Sequence, residues 1–143
     1  FRRSGNLVLV PYTGEHLSGS LPGKMESKGV MNRRKVGADY EGLAAAFLES
    51  QGYEILERNF YTRRGEIDLV AREGSALVFV EVKYRSDLRL GEPLEAVGPR
   101  KQERLRGAAV YYLMKKRLPE DTSCRFDVVG ILGKEIRLVR DAF

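Results

Sequence analysis

The feature that most constrains this 143-residue chain is a short apolar run, Ala76-Leu77-Val78-Phe79-Val80, followed at once by Glu81-Val82-Lys83. No apolar run in the sequence approaches the roughly 18–20 residues that a membrane-spanning helix needs, so no integral membrane segment is expected. Residues 76–84 have the length of a strand. Unbroken rather than alternating apolar character predicts a central strand, buried on both faces. Such a strand needs a packed layer on each side. At 16.2 kDa the chain suits one domain and is too short for two. Its 43% apolar and 31% charged residues exclude a disordered or fibrous chain.

The rest of the chain supplies those layers. A helix is expected from about Ala38 to Gln51, where Tyr40, Leu43, Ala44, Phe47 and Leu48 share one face and Gly52 can take the αL cap. Strands follow at Tyr53–Phe60 and Gly65–Arg72, and Glu73-Gly74-Ser75 links the second of these to the 76–84 strand as a hairpin. Residues 85–98 read as a loop. Pro99 suits the first position of a helix running to about Leu118, which Pro119 ends. Strands at about Arg125–Leu132 and Glu135–Val139 flank a turn at Gly133-Lys134. The order is α-β-β-β-α-β-β, a mixed sheet with a helix on each side. Residues 1–35, rich in Gly, Ser, Pro and charge, read as a flexible amino-terminal tail, with Met25 or Met31 as possible natural starts; residues 36–143 form the domain.

Charge is unevenly distributed. The formal net charge is +5, and residues 1–36, with seven Lys/Arg against two Asp/Glu, account for all of it. Within the neutral remainder, residues 83–117 hold ten basic side chains against four acidic ones. That local excess is the better electrostatic clue. Cys124 is the single cysteine and cannot form an internal disulfide, which fits a reducing, cytoplasmic location.

Glu81 is the anomaly in the buried strand. An unpaired carboxylate there costs several kcal/mol, on the order of the penalty for any uncompensated buried charge. Lys83 lies on the same face by strand period two, and a structural ion pair is the ordinary explanation. Asp68 on the preceding strand changes the balance, with Glu66 on its face too. Carboxylates gathered in one patch repel one another unless a cation sits between them. Carboxylate oxygens and water are the ligands Mg²⁺ prefers, and a lysine beside such a site can hold a water nucleophile. These are the requirements of metal-assisted phosphodiester hydrolysis. Directly opposed residues on paired strands share a face, so Asp68 and Glu81 must be opposed or diagonal; a register shifted by one residue separates them.

These residues also carry a family resemblance. Glu41 in the first helix, then Asp68, then Glu81-Val82-Lys83, resembles the PD-(D/E)xK nuclease superfamily, with its restriction-endonuclease-like α-β-β-β-α-β core. More narrowly, Gly65-Glu-Ile-Asp-Leu-Val70, Val78-Phe-Val-Glu-Val-Lys-Tyr-Arg85 and Arg125-Phe-Asp-Val-Val129 resemble the YraN-type family of uncharacterised bacterial proteins, over about residues 36–140. Ile67 stands where the superfamily has proline before its first Asp. The resemblance implies that Asp68 and Glu81 are metal ligands, that the Val82 carbonyl can complete the shell, and that Lys83 is the catalytic lysine. It makes Glu41 a direct or water-mediated ligand, as in Holliday-junction-resolvase-like members; a solvated helix glutamate is the alternative. Glu66 is assigned a supporting or edge-strand place, and Asp127 a structural one beside Arg125.

Arg100, Arg104, Tyr111 and Lys115 fall on one arc of the second helix, opposite Leu105, Ala109, Tyr112 and Leu113. That stripe, with Lys101 and the loop arginines Arg85 and Arg89, suits phosphate contacts; an ordinary solvated face is the alternative. Other chemistries are poorly served. His16 is the only histidine and lies in the tail, so no Ser-His-Asp site is available in the fold. Gly19 to Met25 is one residue short of a P-loop and lacks its Ser/Thr. The expected activity is Mg²⁺- or Mn²⁺-dependent hydrolysis of DNA, possible junctions included. The rivals are a nucleic-acid-binding protein that kept the fold without catalysis and an interaction domain with a structural ion-pair network. Nucleic acid, DNA first, is the expected partner, with a homodimer compatible and no membrane partner.

Overall fold

A computed structural model describes residues 6–10, 33–85, 97–133 and 135–143. Its elements are β1 (Asn6–Val10), α1 (Arg33–Ser50), β2 (Glu54–Tyr61), β3 (Glu66–Glu73), β4 (Ala76–Arg85), α2 (Pro99–Lys115), β5 (Cys124–Leu132) and β6 (Glu135–Arg140). One six-stranded sheet has the order β1-β6-β5-β4-β3-β2. Strands β4 and β5 run parallel, and every other neighbouring pair is antiparallel. A parallel pair needs a crossover, and α2 supplies it. From α1 onward this is the expected restriction-endonuclease-like α/β architecture. One expectation is corrected. Asn6–Val10, assigned to the tail, pairs antiparallel with β6 and adds a strand at the sheet edge. A strand of five residues joins an edge through backbone hydrogen bonds, which leave little periodic trace in a sequence. Helix α1 likewise starts earlier than its apolar face, at Arg33.

Strand β4 is buried on both faces, as its unbroken apolar run requires. Val78 and Val80 pack with Leu69 and Ala71 against Tyr40, Leu43, Phe47 and Leu48 of α1. Leu77 and Phe79 pack with Phe60, Ile67 and Val70 against Leu105, Ala108, Ala109 and Tyr112 of α2. Each such aliphatic or aromatic side chain contributes roughly 1.5–3 kcal/mol on full burial, enough in sum to carry a few costly polar groups. Helix α1 ends as expected at Gly52, whose φ is 92°, with the Tyr53 N–H donating to the Leu48 carbonyl at 3.0 Å. Helix α2 begins at Pro99 and ends at Lys115, short of Leu118. There the Leu118 N–H donates to the Leu113 carbonyl at 2.9 Å, with Arg117 in the left-handed region at φ 54°. Asp127 is fully buried and structural. It accepts hydrogen bonds from Arg125 Nε at 2.9 Å, the Tyr53 hydroxyl at 2.8 Å and the Asp141 N–H at 2.9 Å.

A local irregularity in β2 and β3 positions the site. Strict alternation puts Ile67 on the α1 side with Leu69 and Ala71. Instead Ile67 and its partner Phe60 lie in the α2 core. The reversal falls between the pairs Arg58↔Leu69 and Phe60↔Ile67, at Asn59 and Asp68. Asn59 has φ 53°, a left-handed backbone that Asn tolerates better than most residues and that rotates the strand out of its two-residue period. Residues before Asp68 on β3 are therefore turned over relative to those after it.

Candidate metal centre

The paired part of β3 and β4 runs from Glu73↔Ala76 to Leu69↔Val80. One step further, the same register sets Asp68 opposite Glu81, as a shared site demands. Beyond that step the strands part, and Asp68 Oδ2 accepts the Val82 N–H at 2.8 Å. The N–H and C=O of one strand residue point to the same edge, so the Val82 carbonyl also faces the β3 side. Asp68 thus sits where two central strands separate.

Carboxylates from two layers converge there. Single oxygens of Glu41 (α1), Glu66 and Asp68 (β3) all lie within 4.8 Å of one another, each side chain part-buried. Burial raises the Glu41 pKa above its usual range, and Glu66 and Glu81 add to the rise. The Asn59 side chain and Asp68 lie near enough to Glu41 to offset part of that rise. Asp68 is pushed up to about 8, by burial first and then by the Glu81 charge, against the opposing effect of the Val82 N–H. Glu66 is the residue that sequence reasoning undervalued. It reaches Glu41 because the reversal at Asn59 turns the start of β3 toward α1. The one available signal was an asparagine in mid-strand.

Glu81 is not one of that group of three. Its side chain is 4% exposed, and its Oε1 takes Lys83 Nζ and Lys101 Nζ, each at 3.2 Å. Its Oε2 is buried with no hydrogen-bond partner among the described residues. Lys101, grouped on sequence with the phosphate contacts, is thus turned to Glu81. Arg100, Arg104, Tyr111 and Lys115 stay exposed along α2. Arg85 donates to the neighbouring Tyr84 carbonyl at 3.3 Å, and Arg89 lies outside the described residues.

The donor set fits a hard divalent cation. Three clustered part-buried carboxylates, a backbone carbonyl edge and the buried Glu81 Oε2, which accepts no hydrogen bond among the described residues, are all oxygen donors. Glu41, Glu66, Asp68 and the Val82 carbonyl are the groups that would hold it, with Glu81 Oε2 alongside. Such a cation supplies Lewis-acid polarisation and a lowered pKa for bound water.

The shift at Asp68 makes stability depend on pH. An unfolded Asp titrates near 3.8, and Asp68 in the fold near 8, so between these values the native state holds more protons. Stability is then greatest below the lower value and falls as pH rises toward the upper one. Urea melts in EDTA at pH 5 and pH 8.5 are expected to show a lower midpoint at the higher pH. In Asp68→Asn that difference shrinks; an equal difference in both proteins contradicts the assignment.

The profile of an uncharacterised protein family, UPF0102, matches residues 40–131, nearly the whole span between Tyr40 and the end of β5. The chain belongs to this family. A UPF0102 protein of Lachnoclostridium phytofermentans is 54% identical over 113 residues, covering 79% of this chain and 96% of that protein. Another from Syntrophus aciditrophicus is 49% identical over 107 residues, covering 72% and 84%. A third from Acetivibrio thermocellus is 47% identical over 122 residues, covering 78% and 93%. The family expected from the three motif segments is the one found. The matched span contains Glu41, Glu66, Asp68, Glu81 and Lys83. Among the described residues, no helix is long and apolar enough to cross a membrane.

Proposed function

We propose that this UPF0102 chain is a metal-dependent nuclease of the PD-(D/E)xK type, hydrolysing DNA phosphodiester bonds with Mg²⁺ or Mn²⁺. The observation that carries the reading is the convergence of Glu41, Glu66 and Asp68 within 4.8 Å beside the buried Glu81–Lys83 pair. A purely binding role needs no such gathering of like charge, which on its own only destabilises the fold. In this reading Asp68 and Glu41 hold the cation, with Glu66 completing the carboxylate set. The Val82 carbonyl offers a further oxygen. Glu81 carries the Lys83 ammonium at 3.2 Å, and Lys83 positions the attacking water and steadies the charge on the phosphorane. The water oxygen would bond to phosphorus as the ester P–O bond opposite it breaks, the attacking water losing a proton to solvent and the departing alkoxide gaining one from it.

Two lysines on one Glu81 oxygen favour the rival reading, a structural ion pair in a DNA-binding protein without catalysis. The test is incubation of the purified protein with linear, nicked, flapped and four-way-junction DNAs in Mg²⁺, Mn²⁺ or EDTA. Cleavage that needs the divalent ion supports the nuclease; binding without cleavage in all three supports the rival.

The exposed stripe on α2 is proposed to contact phosphates. Replacing Arg104 and Lys115 together is expected to weaken DNA binding and flatten its salt dependence by about one to two units of the log–log slope. An unchanged slope makes the stripe an ordinary solvated face.

A further inference from the structure

A second feature lies beside the carboxylate cluster. The connection between β2 and β3 leans on α2 and leaves a cleft of about 680 Å³, lined by Tyr61, Thr62, Arg63, Arg64, Gly107 and Tyr111. None of these is acidic. The approach is close because α2 carries a glycine there: a Cβ on Gly107 would stand 2.7 Å from Arg64 Cδ. Tyr61 is 70% exposed and Tyr111 50%, large aromatic surfaces that a folded chain does not leave in water without cost. Arg104 lies against Gly65, the residue that follows Arg64 in the chain: a Cβ there would stand 3.5 Å from Arg104 Cβ. Among the described residues, no carboxylate pairs with Arg63, Arg64 or Arg104. Tyr61 is the direct strand partner of Glu66, so the cleft, which opens on the α2 side of the sheet, shares a strand pair with the carboxylate cluster, which includes Glu41 of α1.

Aromatic rings beside uncompensated arginines suit nucleic acid with unstacked bases. In a duplex the bases are stacked on one another and offer no faces; in a single strand every base has a free one. We propose that this cleft holds an unpaired DNA strand beside the carboxylate cluster, with bases on Tyr111 and Tyr61 and phosphates on Arg63 and Arg64. The inference deepens the nuclease reading and rests on it for the identity of the polymer. It gives the substrate class as DNA with a single-stranded arm next to the scissile phosphate.

The test is fluorescence anisotropy in EDTA, so that it does not depend on the metal. The probes are an oligodeoxythymidylate of about 15 nucleotides, within the usual site sizes of such grooves, and a blunt duplex of the same length. Tyr61→Ala/Tyr111→Ala is expected to weaken single-strand binding by tenfold or more, on the order of what stacked bases contribute, and to weaken duplex binding by a clearly smaller factor. The matching Phe substitutions keep the rings and restore the affinity. Arg63→Gln/Arg64→Gln, both exposed and each keeping part of its aliphatic stem, lowers the salt slope for the single strand by about one to two units. Single-strand affinity unaffected by loss of both rings overturns the inference. So does polyglutamate competing as well as the oligonucleotide, since charge alone then explains the cleft. Metal-dependent cleavage of blunt duplex alongside either result overturns the single-strand site and leaves the nuclease reading standing.

Discussion

Asp68→Asn is expected to lower Mg²⁺-dependent cleavage by on the order of a thousandfold or more, because several kcal/mol of Lewis-acid stabilisation leave with the ligand. DNA affinity in EDTA should stay that of the parent, since Asp68 is part-buried between strands and faces Val82 rather than solvent. The same substitution is expected to stabilise the metal-free protein above pH 8. It removes a carboxylate whose ionisation is opposed by burial and by Glu81, and the amide oxygen can still accept the Val82 N–H. A variant that loses activity while gaining stability is the signature of strain held for function. Parallel loss of both would instead make Asp68 a structural residue.

Lys83→Met/Lys101→Met is expected to cost about 3–5 kcal/mol of folding stability in EDTA, the usual result of leaving a buried carboxylate without its partners. Either substitution alone should cost less, because both ammonium groups meet the same Glu81 oxygen at 3.2 Å and one remains. Millimolar Mg²⁺ should restore most of the lost stability by binding only the native state. Cleavage should stay absent, since Lys83 no longer positions the water. Thermal melts of the parent, both single variants and the double variant, with EDTA and with Mg²⁺, separate the two readings. Melts indifferent to Mg²⁺ in every protein would leave an ion pair as the account of Glu81, and cleavage retained in Lys83→Met would remove lysine from the mechanism.

Most of the fold was legible because each central element carries its own period. The unbroken run at 76–80 announced a strand covered on both faces, and Val78 and Phe79 do serve opposite cores. Asn6–Val10 was missed because its apolar stretch, Leu7-Val8-Leu9-Val10, is short and set among Gly, Ser and charge, and its partner β6 lies at the other end of the sequence. At the site, the sequence required Asp68 and Glu81 to be opposed or diagonal and left the register open; the structure sets it through a two-residue Gly74-Ser75 connection that puts Asp68 opposite Glu81. Glu66 could not be placed the same way. Its position depends on a reversal of alternation at Asn59, and a left-handed residue in mid-strand is a tertiary decision that the sequence permits without announcing. The Lys101–Glu81 pair was not foreseen for a related reason: a helix phase says which residues share an arc, not which strand end the arc covers. The buried Glu81 already implied strong compensation, and the structure meets it with a lysine from each of two elements.

The central claim is that Glu41, Glu66 and Asp68 form a divalent-cation site. Calorimetric titration of Mn²⁺ into the metal-free protein at pH 7 measures it without reference to any substrate. One ion per chain is expected to bind, with net proton release because Asp68 is still largely protonated at that pH, and Asp68→Asn should abolish or greatly weaken the binding. No binding at millimolar Mn²⁺, or binding of equal strength in Asp68→Asn, would contradict the account.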